Sequence, residues 1–175
     1  MIGSATRRRL IGQSAYIALA LLILFVRLMP LHPGRITLPG PDLALCLTLA
    51  WVLRRPEQIP ALIIAAVFLI EDALLLRPIG LWAALVVMGS EAVRTREPRW
   101  REQPFVVEWL RVSVLMAVMM LANWLAMAVV LMPLPPLGLL VLHLLATVAA
   151  YPFVVLVAHF IGLRRKSPKE HGTAG

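Results

Sequence analysis

Positive charge in this chain of 175 residues is concentrated in short clusters that alternate with long apolar runs. Twelve of the seventeen Lys and Arg residues lie in four such clusters, at residues 7–9, 54–55, 94–101 and 164–166. This alternation is typical of a polytopic membrane protein, in which apolar helices cross the bilayer and cationic loops remain at its surface. The pattern therefore constrains the fold to membrane-spanning helices, and it explains the net charge of +8 without a role in nucleic-acid binding.

The composition indicates the same class of protein. Apolar residues make up 61% of the chain and charged residues 15%, and the mean hydropathy of +0.86 is far above that of soluble domains. We expect an all-α integral membrane protein with one transmembrane domain, residues 1–163. Residues 164–175 are expected to form a disordered, basic cytoplasmic tail.

Six apolar runs follow one another, and each is expected to form one transmembrane helix of a single compact bundle. The first run follows three arginines as a secretory signal does, but it lacks a small-residue cleavage pattern and is predicted to be retained. The second run, counted from Asp42, would rise only about 18 Å against a hydrocarbon core of about 30 Å. This short helix is predicted to be partial, sheltered or extended by irregular backbone. The approximate predicted spans are 10–29, 41–53, 59–76, 79–93, 109–132 and 137–163.

The distribution of cations predicts the orientation. Six crossings place both ends of the chain on one side, and the segments on that side hold 13 Lys or Arg residues, whereas the opposite loops hold three. By the positive-inside rule, both termini are cytoplasmic. A re-entrant hairpin formed by runs two and three is disfavoured, because it would carry the charged segment 54–57 to mid-membrane at roughly 2.5 to 3.5 kcal/mol per ion.

Two adjacent acids, Glu71 and Asp72, lie in the third run, and Asp72 is roughly 18 Å along the helix from Pro60. Charged residues within a span face the bundle interior and mark a pathway or a partner. The favoured interpretation is that one or both carboxylates pair with Arg27 and Arg77 or meet the outer water. A proton or ion relay and a contact with another protein are the alternatives. Adjacent helix positions point about 100° apart, so the two acids cannot share the same surroundings.

Other polar and aromatic residues in the runs have simpler interpretations. His143 and His159 lie roughly 24 Å apart along one helix, so they cannot bind one metal ion. His143 is expected to be a hydrogen-bonded interior residue. Asn123 is expected to form a hydrogen bond between helices, Trp124 to face lipid or a partner, and Trp51 to anchor the cytoplasmic interface.

The sequence contains none of the motifs that would indicate an enzyme. It has no Gly-rich phosphate loop, no nucleophile elbow and no His-Glu-x-x-His helix. The single cysteine, Cys46, has no partner for a disulfide within the chain and is expected to be a small core residue. We therefore predict a non-enzymatic protein without a metal or cofactor.

The fourth run is followed by the only long charged loop that the sequence predicts, residues 94–102. Clustered cytoplasmic arginines gain roughly 1 kcal/mol each near an anionic leaflet. The arginines expected to contact anionic lipid are Arg94, Arg96, Arg99 and Arg101.

Several segments carry a family resemblance. They are Leu-Pro-Gly-Pro-Asp at residues 38–42, Trp-Val-Leu-Arg-Arg-Pro at 51–56, the acids and Pro-Ile-Gly turn at 71–81, and Pro-Leu-Pro-Pro-Leu-Gly at 133–138 with Tyr-Pro at 151–152. Together they resemble the rod shape-determining membrane protein MreD family. The resemblance covers residues 10–163 approximately and is most specific over residues 39–92, where an acid near the outer end of span three precedes the Pro-Ile-Gly turn.

The resemblance implies a scaffold subunit of the bacterial cell elongation (rod) complex in the inner membrane, which supports peptidoglycan synthesis and cell shape. The family is associated with the bitopic protein MreC, the cytoskeletal protein MreB, the glycan polymerase RodA and its penicillin-binding transpeptidase. It also implies a fold similar to the six-helix substrate-binding components of energy-coupling-factor transporters. The motif positions that it carries over to this chain are Asp72, Pro78 and Gly80.

The hypothesis is that a bundle with short second and fourth spans offers a groove for another protein's transmembrane helix, that of MreC in the first instance. The alternative is a transporter component that binds a small solute in an outward cavity near the two acids, and a structural membrane protein unrelated to the cell wall is a third possibility. The candidate functional or partner-contact residues are Glu71, Asp72, Pro78, Gly80, Asn123 and Trp124.

Overall fold

The structure is a computed structural model that describes residues 4–29, 40–100, 104–131 and 133–160, with the backbone alone at residues 4, 5, 8 and 96–100. The described residues form six helices and no strand, which confirms the predicted all-α class. The predicted tail, residues 164–175, lies outside them. The helices are α1 (Ser4–Leu28), α2 (Leu43–Arg54), α3 (Ala61–Leu74), α4 (Leu81–Trp100), α5 (Phe105–Val129) and α6 (Leu137–Phe160).

Three of the helices are long and apolar enough to cross a membrane. The qualifying segments are Arg9–Leu28 in α1, Phe105–Val129 in α5 and Leu137–Phe160 in α6, which correspond to predicted spans one, five and six. In contrast, α2 has 12 residues and α3 has 14, so they rise only about 18 and 21 Å.

Helix α2 is enclosed by the rest of the protein. Eleven of its twelve residues are buried, and it packs against α1, α4 and α6. Asp42 caps its start, because the Oδ1 atom accepts a hydrogen bond of 3.0 Å from the backbone N–H of Leu45. Pro56 disfavours a helical conformation at Arg55, so the helix ends at Arg54. Of the three alternatives expected for this short helix, the structure shows the sheltered one.

The core around α2 contains aromatic side chains that are joined by hydrogen bonds. The Tyr16 hydroxyl is 2.8 Å from the Thr48 hydroxyl, and the Tyr16 ring packs edge-on against Trp51. The Trp51 indole N–H donates to Gln58 and the residue is 2% exposed. Trp51 is therefore a core residue, and the prediction that it anchors the interface is wrong. Cys46 is fully buried, as predicted.

The prediction of a charged loop beginning at Arg94 is also wrong. Helix α4 continues through Arg94 to Trp100, and Glu91 and Arg94 form an ion pair of 3.1 Å one turn apart. Charge determines where a helix leaves the apolar part of a membrane, but it does not interrupt backbone hydrogen bonding.

Consecutive helices run in opposite directions, so alternate helix ends lie together. At one end, Arg27 of α1 contacts Asp42 before α2 and Glu71 of α3. We call this the Asp42 end. At the other end, which we call the Arg54 end, Arg54 of α2 contacts Glu108 in the first turn of α5.

Candidate functional site

The two adjacent acids of α3 have separate partners, as their helical spacing requires. Glu71 is buried, and its Oε1 atom accepts a hydrogen bond of 2.5 Å from Arg27 and lies 4.0 Å from the Arg77 Nη1 atom. The two arginine side chains are partly exposed, so they extend from the protein surface to neutralise an acid that burial alone would disfavour. The predicted pairing with arginines is confirmed for Glu71.

Asp72 instead caps the start of α4. Its Oδ2 atom accepts hydrogen bonds from the backbone N–H groups of Gly80, at 3.1 Å, and Ala83, at 3.2 Å. A carboxylate from α3 thereby satisfies first-turn donors of α4 and places negative charge at the positive end of its dipole.

Gly80 is required by the turn between α3 and α4. Its φ angle is +89°, a conformation that side chains with a Cβ atom rarely adopt. Asp72, Pro78 and Gly80, the positions that the resemblance singles out, thus lie at one turn. Because Asp72 is fully buried there, its side chain offers no surface to a partner.

The start of α2 is held by α6. The backbone N–H of Asp42 donates to the Thr147 hydroxyl at 3.0 Å, and the His143 Nδ1 atom lies 2.8 Å from the carbonyl oxygen of Gly40. His143 is therefore hydrogen-bonded within the protein, as predicted. The described residues contain no group of three His, Cys, Asp or Glu residues placed to hold a metal ion.

A cavity of about 550 Å³ opens at the Asp42 end, where the ends of the helices meet. Its charged lining consists of Arg27, Asp42 and Arg77. Pro78 and Asn123, both predicted as site residues, also line it. Glu71 lies behind the wall and contacts both arginines, and Gly80 is not among the lining residues. Other lining residues include Trp82, Met120, Met127, Leu139, Leu140 and His143.

The two predicted residues of α5 have local contacts. Asn123 donates to the sulfur of Met127, one turn later in the same helix, at 3.6 Å. The predicted hydrogen bond from Asn123 to another helix is therefore not found within the described part of the chain. The Trp124 indole N–H donates to the carbonyl oxygen of Pro135 at 3.2 Å, which ties the end of α5 to the segment before α6.

A second buried polar cluster, at the Arg54 end, was missed by the sequence analysis. Both terminal nitrogens of Arg54 lie 3.5 Å from Glu108 Oε1, and the Tyr151 hydroxyl donates to the same oxygen at 2.9 Å. Arg54 also donates to the carbonyl oxygen of Ala50. The sequence pattern places Arg54 in a cationic segment between two spans. Nothing in the spacing of these residues signals the cluster.

Arg94, one of the four arginines expected to contact lipid, has protein partners. Its guanidinium group donates to the carbonyl oxygens of Pro56 at 2.9 Å and Ile59 at 2.6 Å. These bonds fix the connection between α2 and α3 against α4. The side chains of Arg96, Arg99 and Arg101 lie outside the described residues, so lipid contact there stays a prediction.

The cavity brings together groups that can bind a ligand. It presents guanidinium groups, a carboxylate, an imidazole and an indole next to apolar side chains. Such a combination recognises a polar group attached to an apolar body. No family model matches this chain, and no curated protein or solved structure matches it either.

Proposed function

We propose that this protein is a non-enzymatic scaffold subunit of the bacterial cell elongation complex, similar to the MreD family, and that it supports peptidoglycan synthesis and cell shape. In this proposal the chain crosses the inner membrane six times. The Arg54 end and both termini are cytoplasmic, and the Asp42 end faces outward. The positive-inside distribution of cations supports this orientation, and the alternating helix directions support the number of crossings.

An exposed apolar surface on α5 is the observation that carries the proposal. Its exposed apolar side chains follow one another every three or four residues over about 22 Å. This spacing places them on one side of the helix, where they suit packing against another helix. In lipid, helices associate through close packing and not through a hydrophobic drive, so a continuous surface of this kind can hold a partner's span. We call it the α5 surface, and it comprises Leu110, Val114, Val118, Leu121 and Leu125.

The proposed binding partner at the α5 surface is the single transmembrane helix of MreC. MreB, RodA and its penicillin-binding transpeptidase would then associate through the same assembly. The buried ion pairs support this function because they hold the helix ends in fixed positions, and a scaffold needs a rigid surface more than a moving one. Glu71 and Asp72 contribute to that rigidity from within.

Substitutions on α5 test the proposal. We expect Leu121→Ala and Leu125→Ala each to reduce the amount of MreC that co-purifies with this protein by about fivefold, the usual minimum for an interface anchor. Membrane insertion should be unchanged. Leu145→Ala, which removes an equally exposed leucine from α6, is the matched control and should have no effect. Unchanged co-purification across the α5 variants would count against the proposal.

The cavity favours a second candidate function, that of a solute-binding membrane component of a transporter. Its volume of about 550 Å³ is within the range that small-molecule sites occupy. Depletion of the protein distinguishes the two functions. A scaffold predicts wider or rounded cells with misplaced wall growth, whereas a transporter component predicts normal shape and loss of uptake of one solute.

A further inference from the structure

The cavity at the Asp42 end contains cationic groups with unused hydrogen-bonding capacity. Arg77 lines the cavity; its Nη1 atom lies 4.0 Å from Glu71 Oε1, and its guanidinium group forms no hydrogen bond to any described residue. Arg27 lines the same cavity and shares the same Glu71 oxygen. Guanidinium groups present several N–H donors in a planar fork that matches phosphate or carboxylate oxygens. The pair of arginines therefore provides a site for an anionic group.

Two residues of the cavity wall, Asp42 and Trp82, each carry a buried polar atom that has no hydrogen-bond partner among the described residues. Asp42 is fully buried, and although its Oδ1 atom caps α2, its Oδ2 atom has no hydrogen-bond partner among the described residues. The indole N–H of Trp82, which is 4% exposed, also has none within that part of the chain. Buried polar atoms are normally satisfied, so both atoms indicate a ligand that carries donors as well as acceptors. An ammonium group could donate a hydrogen bond to the Asp42 carboxylate.

The charges around the cavity are balanced before any ligand binds. Arg27 and Arg77 offset Asp42 and Glu71, and Asp72 is occupied by the start of α4. A ligand with net charge would add an uncompensated charge in a poorly solvated region, which is unfavourable. A zwitterion keeps the balance while it supplies an anion to the arginines and an ammonium to Asp42.

The rest of the lining suits an apolar portion of the ligand. Met120, Met127, Leu139 and Leu140 line the cavity, and methionine side chains adapt to chains of variable shape. We propose that the cavity at the Asp42 end binds a zwitterion in which a phosphate or carboxylate adjoins a primary ammonium group. The head group of phosphatidylethanolamine and soluble glycerophosphoethanolamine, both phosphodiesters with no net charge, share this chemistry. The site does not depend on the scaffold function, so either can fail without the other.

Titration of the purified full-length protein tests the ligand class. Dioctanoyl-phosphatidylethanolamine would be added to the protein in detergent while tryptophan fluorescence is followed, because Trp82 lies in the cavity wall. Saturable binding is expected. The phosphatidylglycerol analogue, which lacks the ammonium, and the phosphatidylcholine analogue, whose ammonium has no N–H, should each bind about tenfold more weakly. Equal binding of all three lipids, or saturable binding of neither the first lipid nor free glycerophosphoethanolamine, would overturn the proposal.

Variants locate the site. Asp42→Asn keeps an acceptor for the α2 cap while removing the charge, and both it and Arg77→Gln should weaken binding about tenfold. Trp82→Phe should remove most of the fluorescence change. Glu91→Gln and Arg55→Gln make the same charge changes away from the cavity and should bind as the unchanged protein does. If Asp42→Asn and Arg77→Gln both kept full affinity, the assignment of the binding site to this cavity would be wrong.

Free glycerophosphoethanolamine, which has the same phosphodiester and ammonium groups as the lipid, separates the two sources of the ligand. Competition at an affinity similar to that of the lipid assigns the site to a soluble zwitterion. Binding of the lipid without competition assigns it to a membrane head group whose acyl chains contribute to binding. Either result supports the proposed class.

Discussion

Glu108→Ala should lower the free energy of unfolding by about 3 to 5 kcal/mol, because it leaves Arg54 buried without its acidic partner. The side chains of Arg54 and Glu108 are 7% and 1% exposed, and Tyr151 donates to the same Glu108 oxygen that the arginine faces. This variant therefore removes the carboxylate that joins α2, α5 and α6. Titration with sodium dodecyl sulfate in mixed micelles, followed by circular dichroism, measures the change.

Two further variants make this result specific. Glu91→Ala breaks the partly exposed pair with Arg94 and should cost no more than about 1 kcal/mol. The double variant Arg54→Met with Glu108→Met should recover most of the lost stability, because apolar residues of similar volume can replace a buried ion pair. If Glu108→Ala cost no more than Glu91→Ala, the Arg54 cluster would not stabilise the fold.

Asp72→Ala should destabilise the protein by about 2 to 3 kcal/mol, because two backbone N–H groups at the start of α4, one buried and one partly buried, lose a charged acceptor. The measurement is the same titration. Asp72→Asn should cost less, since its amide oxygen can still accept from Gly80 and Ala83. Gly80→Ala should also destabilise the protein, by about 1 to 2 kcal/mol, because it forces a Cβ atom into a left-handed conformation.

The order of these three variants is the useful result. If the loss of stability is largest for Asp72→Ala, smaller for Gly80→Ala and smallest for Asp72→Asn, both the conformation of the turn and the helix cap stabilise it. Equal stability of Asp72→Ala and the unchanged protein would mean that other groups satisfy the start of α4, and the role assigned to Asp72 would be wrong.

The features that sequence analysis predicted correctly follow from local rules. The all-α class follows from the lengths and composition of the apolar runs. The sheltering of α2 follows from a run too short to cross a bilayer, and the pairing of Glu71 with arginine follows from the cost of an unpaired charge in an apolar span.

The features that it missed depend on how the helices pack. Arg54 and Glu108 are 54 residues apart, and Tyr151 is a further 43 residues along the chain, so no local pattern relates them. An indole suits an interface or a core equally well, and the burial of Trp51 depends on Tyr16 of another helix. Asp42 could have been recognised as a helix cap, because it directly precedes an apolar run. Its second role, as part of a cavity wall, could not have been predicted from the sequence.

The central claim is that the Asp42 end and the Arg54 end lie on opposite sides of the membrane, and cysteine labelling in spheroplasts tests it most directly. In a Cys46→Ala background, Leu134→Cys would mark the Asp42 end and Glu57→Cys the Arg54 end, since both positions are exposed. With a membrane-impermeant maleimide, Leu134→Cys should be labelled in intact spheroplasts and Glu57→Cys only after lysis. Labelling of both in intact spheroplasts, or of Glu57→Cys alone, would contradict the account.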